Sequence, residues 1–503
     1  MVLLNIEHSS ARGGGGLWRN GWMSPVTLMH VTLLIYLNSV TLHYSSLGTL
    51  RMLLQSPWTP RLAELDASAA ERLVRALADD IVEGRLQGGD RLPAHRDLAW
   101  QLGIGLGTVT KAYAALERRG LVRSVKGRGM FVAIRQAHED RVIDLSSNVP
   151  PAMLSARLLA RTLAGVARTI DADHLTLYSP PAGHLEHRRL LARWLQSLGI
   201  EVDPENLALT SNARQAISLA FDLACGPGGV ILTERVTYPG AIALARRKGY
   251  RMQGVAMDAE GMLPEALAQA LERVAGGAST AVYLTPTLHN PTTATMGLAR
   301  RQAIVEVCRQ AGAWIIEDGV YALGPSTAPA LVTLAPERVL HVNGLSKSIG
   351  PGLRIGLLTL PAAMTELARD FLQDIPMAPS PLSCAVVEEW LSSGVIASIP
   401  QDLRHEARRR SSLAVSLLGA AELVAHPDAY HLWLPMPREA ADQLASAAAS
   451  VGIRVTPPES VMVDPGDPAS GIRLCLGGPS LEEVREGLAL LGRLISGSPP
   501  SAP

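Results

Sequence analysis

The chain has 503 residues, 47% of them hydrophobic, with 46 Lys/Arg against 46 Asp/Glu. That length allows two to four domains with large cores, and the balanced charge excludes a uniformly basic or acidic protein. The four cysteines (Cys225, Cys308, Cys384 and Cys475) have neither zinc-finger nor redox spacing, so they read as buried small hydrophobes in a reducing cytoplasm.

The charge is unevenly spread. Residues 61–135 carry 13 Lys/Arg and 9 Asp/Glu, a net of +4, and within them residues 111–135 carry 7 against 1, a net of +6. Residues 136–503 carry 30 against 36, a net of −6. A basic module on an acidic body suits a polyanion-binding part fused to something else; a solvated basic helix face gives the same count.

Residues 1–60 differ from the rest. Between Gly21 and Leu50 there is no charged residue, and the apolar stretch Val26–Val40 is interrupted by His30, Asn38 and Ser39. It is short for a membrane span, which takes about 20 apolar residues. Three readings stand: an atypical or disordered extension upstream of a later start such as Met52, a membrane anchor, and a signal peptide led by Arg12 and Arg19. The first is favoured, because export would strand the module that follows.

From Ala69 to Glu83, Leu73, Val74, Leu77, Ala78 and Ile81 recur at helical spacing. Gly88, Gly89 and Pro93 break the chain. A short helix is expected over Asp97–Leu102 with Gly103 as its C-cap, then the connection Ile104-Gly105-Leu106, then a second helix over Gly107–Arg119. Leu121–Arg123 and Met130–Val132 flank Lys126-Gly127-Arg128-Gly129, a two-stranded wing with a basic tip. Helix, tight turn, helix and basic hairpin place one helix in a DNA major groove and the wing on the backbone. The run GRLQGGDRLPAHRDLAWQLGIGLGTVTKAYAALERRGLVRSVKGRGMFV resembles the winged helix-turn-helix of the GntR family. The resemblance implies double-stranded DNA as partner and contacts from Arg96, Thr108, Thr110 and Lys111, with Lys126, Gly127 and Arg128 on the wing. Arg suits bidentate contact with guanine or phosphate, hydroxyls suit phosphate, and Lys supplies a point charge. Gly105-Leu106 stands where many relatives carry Ser-Arg, so their operators do not transfer.

After a polar linker, apolar strands alternate with helical stretches: Leu207–Leu209, Gly229–Thr233, Ala281–Thr285, Trp314–Glu317 and Val339–Val342. That alternation predicts a largely parallel sheet with helices on both faces, its site at the C-terminal strand edges. There lie NARQA, TYPG, HNP, EDGVY and LSKSIGPGLR. A pyridine aldehyde cofactor needs a Lys, a carboxylate for its ring nitrogen, donors for its ring oxygen and a phosphate cup. Lys347, Asp318, Tyr321 and Asn290 stand in an order that provides them.

The set resembles fold-type I aminotransferases of class I/II over residues 142–495. The resemblance implies pyridoxal 5'-phosphate as cofactor, with Lys347 as the catalytic residue forming the internal aldimine and Asp318 on the pyridinium nitrogen. Asn290 and Tyr321 would bond the ring oxygen and Tyr238 would stack on the ring. Ser211, Asn212, Ala213 and Arg354 would form the phosphate cup, and Arg473 would clamp a substrate or effector carboxylate. Tyr178 would reach the cofactor phosphate of a partner subunit, which implies a homodimer. No metal is expected. Relatives have Gly at 212, where Asn is expected to tolerate a left-handed turn, and Ser or Thr at 344, where Gly removes a hydroxyl; Arg214 offers charge instead. These departures predict weaker cofactor binding.

The expected division is an N-terminal extension (1–60), a winged helix-turn-helix domain (61–134), a linker (135–141), an α/β aminotransferase-like domain with a small C-terminal α/β subdomain (142–495) and a flexible tail (496–503). This order resembles MocR-type transcription regulators. It implies a cytoplasmic regulator whose DNA binding answers to the cofactor or to an amine or amino acid, through a shift between two arrangements. The rival reading is a working aminotransferase with a DNA-binding appendage; a membrane-tethered sensor rests on residues 26–40 alone.

Overall fold

The computed structural model describes residues 58, 68–82, 85–86, 89–118, 121–125, 129–132, 142–277, 279–322, 328–375, 377–419 and 422–496. The expectations for the extension up to residue 57, the linker, the wing tip Lys126-Gly127-Arg128 and the tail beyond 496 lie outside them. The chain forms two compact units, 1–139 and 140–503.

In the first unit, helix α1 (Ala69–Val82) opens on a capping box: Ser68 N–H donates to Glu71 Oε2 at 3.1 Å and Glu71 N–H to Ser68 Oγ at 3.4 Å. Helix α2 (His95–Leu102) begins two residues earlier than its apolar pattern suggests, directly after Pro93-Ala94. Gly103 caps it with φ +62°. Helix α3 (Leu106–Arg118) follows, then the antiparallel pair β1 (Val122–Val125) and β2 (Gly129–Val132). Leu73, Leu77, Leu98, Val109, Ala112, Tyr113, Leu116 and Val132 form a common core. Trp58 joins that core, 7% exposed, and its Nε1–H donates to Asp80 Oδ2 at 2.6 Å.

In the second unit, β3 (Ile143–Asp144) precedes helices α4 (Ala156–Thr169), α5 (Asp173–Thr176) and α6 (Leu185–Ser197). The main sheet contains β4 (Leu207–Thr210), β5 (Val230–Glu234), β6 (Arg251–Val255), β9 (Thr280–Leu284), β10 (Trp314–Asp318), β11 (Val339–Gly344) and β12 (Gly356–Thr359). Between β6 and β9 lies the small hairpin β7 (Met257–Asp258) and β8 (Gly261–Met262). The strand order is β4-β12-β11-β10-β9-β5-β6. All neighbours pair in parallel except β12, which runs antiparallel to β11 and β4. Every residue of β4, β5, β11 and β12 is buried, as strands covered on both faces must be. Two apolar clusters, one on each side of this sheet, contain Leu207, Leu232 and Ile315 in the one and Ala208, Ile231 and Ile316 in the other. That alternation along each strand is the period of two. The remaining strands, β13 (Val424–Ala425), β14 (His431–Pro435) and β16 (Gly471–Cys475), form a separate antiparallel sheet with its own core. The isolated strand β15 (Ile453–Arg454) pairs with β3. Among the described residues no single helix is long and apolar enough to cross a membrane.

Candidate cofactor site and nucleic-acid interface

The strands of the main sheet deliver the site at their C-terminal ends. Asp318 is the last residue of β10, Gly344 the last of β11, Ser211 and Asn212 follow β4, and Tyr238 follows β5. Tyr238, Asn290, Asp318, Tyr321, Ser346 and Lys347 line one cavity, together with Ala213 and Arg214. Of the residues expected for the cofactor, Ala213, Tyr238, Asn290, Asp318, Tyr321 and Lys347 line this cavity, whereas Ser211, Asn212, Tyr178, Arg354 and Arg473 do not.

Lys347 is half-buried, its ammonium donating to the Asn148 carbonyl. Burial, with Arg473 adding to it, pushes the amine down to about 8, while Cys475 and Asp318 pull it upward. Tyr430 O–H donates to the Lys347 carbonyl at 3.0 Å, which fixes the lysine backbone. Asp318 Oδ2 accepts from Tyr283 O–H at 2.7 Å and Oδ1 from Val320 N–H at 3.3 Å. Burial pushes the Asp318 carboxyl above the usual carboxylate range, and these two donors and Lys347 pull against it. Next to it in β10, buried Glu317 holds His341 Nδ1 at 2.8 Å and accepts from Leu331 and Val332 N–H at 2.8 and 3.0 Å. Burial would raise that carboxyl, but His341 and the two amides outweigh it and hold it low.

The Tyr321 phenol oxygen accepts from Asn148 Nδ2 at 2.9 Å and from Asn290 Nδ2 at 3.3 Å. Asn290 Oδ1 accepts from Arg473 Nη1 at 2.7 Å. The same guanidinium donates to the Ser146 carbonyl at 2.9 Å and to Thr456 Oγ1 at 2.9 and 3.1 Å. Arg473, in β16, is 6% exposed, and four of its five N–H groups are engaged. Sequence reading found Arg473 but missed Asn148, Thr456 and Tyr430; the only local signal was the SSN stretch opening the module.

The segments expected to form a phosphate cup differ from expectation in two ways. Asn212 has φ −179° and ψ 159°, extended rather than left-handed. Its tolerance of a left-handed turn is therefore irrelevant; it is the N-cap of α7 (Ala213–Cys225), its Oδ1 accepting from Gln215 N–H at 3.2 Å. Backbone closeness constrains Gly356 instead, where a Cβ would stand 2.3 Å from the Asn212 carbonyl carbon. At Gly344 a Cβ would stand 2.9 Å from the Ile355 carbonyl oxygen, so glycine fits this packing. Nor is the cavity without a hydroxyl, since Ser346 lines it. Ser211 Oγ donates to the Met377 carbonyl at 3.0 Å. Tyr238 sits at the start of α8 (Pro239–Lys248), with Gly240 leaving room for its ring. Arg354 is exposed, with φ +54°, and Tyr178 is fully exposed, so neither lines the cavity in the single chain.

On the first unit, Arg96 is exposed on α2, while Thr110 and Lys111 are exposed and Thr108 half-buried on α3. Thr110 O–H donates to the Leu106 carbonyl at 3.0 Å, so its free capacity is as an acceptor. Trp100, four residues beyond Arg96, is 85% exposed, an anomaly for so large an apolar side chain. Tyr113 O–H donates to the Pro93 carbonyl at 2.9 Å and ties α3 to the segment before α2.

The fold defines a module of the aminotransferase type joined to a winged helix-turn-helix module. The chain belongs to the aminotransferase class I and II family, matched over residues 140–491, and carries a domain of the bacterial gntR regulatory family over 69–132. This is the MocR-type architecture of transcription regulators. It is similar to YdeF of Bacillus subtilis, an HTH-type transcriptional regulator, at 26% identity covering 87% of this chain and 96% of the relative. It is also similar to PdxR of Corynebacterium glutamicum, an HTH-type pyridoxine biosynthesis transcriptional regulator, at 27% identity covering 67% and 76%. Among solved structures, an archaeal alanine:glyoxylate aminotransferase superposes with TM-score 0.65 at 26% identity, covering 78% of this chain and 95% of the other.

Proposed function

We propose that this protein is a cytoplasmic, homodimeric transcription regulator whose aminotransferase-like module binds pyridoxal 5'-phosphate and an amine or amino acid, and thereby sets the DNA affinity of the winged helix. The observation that carries the reading is the cavity holding Lys347, Asp318, Asn290 and Tyr321 in a chain that also holds a complete helix-turn-helix.

The donor set fits the cofactor: a half-buried amine, a buried carboxylate, phenol and amide donors, and a helix N-terminus with Ser346 beside it. When bound, pyridoxal 5'-phosphate supplies an aldehyde that takes amines and an electron-withdrawing ring. Lys347, lowered to about 8, keeps a substantial neutral fraction near pH 7–8 and so offers a nucleophile. Asp318, restrained by Tyr283, would accept a hydrogen bond from the ring nitrogen; Asn290 and Tyr321 would serve the ring oxygen, and Tyr238 would stack on the ring. The N-terminus of α7 at Ala213, with Arg214 and Ser346, would supply the polar wall for the phosphate, while Ser211, Asn212 and Arg354, which do not line the cavity in the single chain, would have to turn toward it. Arg473 takes an effector carboxylate with its remaining N–H, or by releasing Thr456 or Ser146.

A homodimer is supported by Leu159, Leu163, Leu175, Leu177 and Tyr178, large apolar side chains that are 43–102% exposed. Tyr178 then serves the partner's site. On the DNA side Arg96, Thr108, Thr110, Lys111, Lys126, Gly127 and Arg128 provide the contacts.

The test is DNA affinity of the full chain, measured by anisotropy on fragments selected for binding, with and without pyridoxal 5'-phosphate and a panel of amino acids. A change of about 5–150-fold, the usual range of coupling, is expected. Unchanged affinity throughout, with brisk turnover of amino-acid and keto-acid pairs, would establish the enzyme reading in its place.

A further inference from the structure

Outside the cofactor cavity, three histidines meet where α5 faces the start of α6. The ring centroids of His174 and His184 lie 4.2 Å apart, those of His174 and His187 5.3 Å, and those of His184 and His187 5.4 Å. Glu186 joins them: one ligand atom each from His174, His184 and Glu186 lies within 4.8 Å of the other two. His184 occupies the N-cap position of α6, yet its side chain makes no capping hydrogen bond. Its Nε2 is buried and has no hydrogen-bond partner among the described residues. A buried ring nitrogen without a partner costs free energy unless something else satisfies it.

We propose that His174, His184 and Glu186 form a binding site for a divalent ion of the zinc type, independent of the cofactor site. Two imidazoles and a carboxylate are the ligand chemistry that zinc takes. With bonds of about 2.0–2.2 Å, tetrahedral ligands stand ~3.4 Å apart, so the donors close by about 1.4 Å at most, a side-chain adjustment. The ion would satisfy His184 Nε2 or turn the ring so that its other nitrogen binds. His187, 7% exposed and edge-on to both other rings at 67° and 75°, positions them. Water takes the fourth place. The bound ion ties residue 174 to residues 184 and 186 and so closes the loop that carries the exposed Tyr178. Magnesium and calcium, which take oxygen ligands, are excluded by the two imidazoles.

The experiment uses full-length protein free of any histidine tag, stripped with chelator and titrated with Zn²⁺ by calorimetry. One ion per chain is expected at this site. The double variant His174→Gln/His184→Gln should bind it at least about 10–100-fold more weakly, more than is usual for losing a neighbour of a metal ligand. Glu186→Gln, at an exposed position that disturbs no packing, should also weaken it. X-ray absorption at the zinc edge should show imidazole scattering that the double variant lacks. Absence of Zn²⁺ uptake by the wild type, or equal affinity and stoichiometry in wild type and both variants, would overturn the site and leave the three rings as an aromatic cluster. The cofactor's visible absorption reports separately on Lys347, so either outcome stands apart from the functional reading above.

Discussion

At the scale of single residues, Lys347 and Gly344 are three positions apart in sequence and impose opposite demands. Lys347 needs burial, because a lowered amine attacks an aldehyde at neutral pH. Lys347→Ala should still bind pyridoxal 5'-phosphate through the polar wall, but the visible band of the wild type should be absent from its spectrum. Identical spectra would take the covalent role away from this residue. Gly344 needs space: a serine there brings Cβ to 2.9 Å from a backbone oxygen at the β11–β12 pairing. Gly344→Ser should therefore cost about 1–3 kcal/mol of stability through overpacking, read as a lower denaturant midpoint, rather than improve the cup. A third residue sets a pH limit. His431 is fully buried and its imidazole is pushed down to about 3 by burial, with Arg473 and His289 adding to it and its bond to the His289 carbonyl opposing. In the unfolded chain it takes a proton near pH ~6.5. Its folded pKa is depressed, so between those values the unfolded state binds more protons. The stability it contributes is complete above about pH 6.5 and is lost as pH falls toward about 3. Denaturant midpoints at pH 7.5 and about 5 should differ less in His431→Gln than in wild type.

Elements were legible wherever local chemistry writes them. Gly103 stops α2 and the glycines around residue 105 set α3, so the bounds of the helix-turn-helix are within two residues of their apolar and glycine pattern. The five expected strands of the main sheet all form, each within one or two residues of its apolar run. Strand β12 escaped, because nothing local in Gly356–Thr359 says that it enters antiparallel between β11 and β4. The site was legible as a set of residue types at strand ends and illegible as a network. Arg473 finds Asn290 across 183 residues and Asn148 finds Tyr321 across 173, pairings that no periodicity encodes. Asn212 misled for a related reason, since a cap and a left-handed turn favour the same residue. Trp58 shows the limit at the module's edge. It stands in polar, proline-containing sequence, yet its indole is in the core with Leu73 and Leu77 and bonded to Asp80. Trp58→Ala should destabilise the winged helix by about 3–5 kcal/mol, seen in thermal unfolding of the full chain as earlier loss of DNA binding with the cofactor band intact. Simultaneous loss of both signals would show that the two units do not melt independently.

For the whole molecule, the charge asymmetry and the buried site make a joint demand. The stretch 111–135 has a net of +6 while residues 136–503 have a net of −6, so the DNA-reading surface has to supply its own phosphate neutralisation. Lys111→Ala should weaken binding to every duplex alike and reduce the salt slope by about 1, whereas Arg96→Ala should cost about 1–3 kcal/mol at the operator and relax its sequence preference. Equal operator affinity in Arg96→Ala and wild type would remove Arg96 from the contacts. Regulation adds a stricter requirement. If pyridoxal 5'-phosphate raises or lowers operator affinity by some factor, operator DNA must change the affinity for pyridoxal 5'-phosphate by the same factor, because both belong to one thermodynamic cycle. The factor comes only from a difference in ligand binding between two arrangements of the chain, not from the tightness of either. Cofactor affinity should therefore be measured by absorbance with operator duplex, with unrelated duplex and without DNA. The operator should shift it by the factor found in the DNA titration, and unrelated duplex should shift it less. Matching factors in Arg96→Ala, smaller in both titrations than in wild type, would place the coupling in operator recognition. A cofactor affinity indifferent to operator DNA, beside a DNA affinity that does change with cofactor, would violate the cycle and show that the DNA effect arises from something other than ligand held at Lys347.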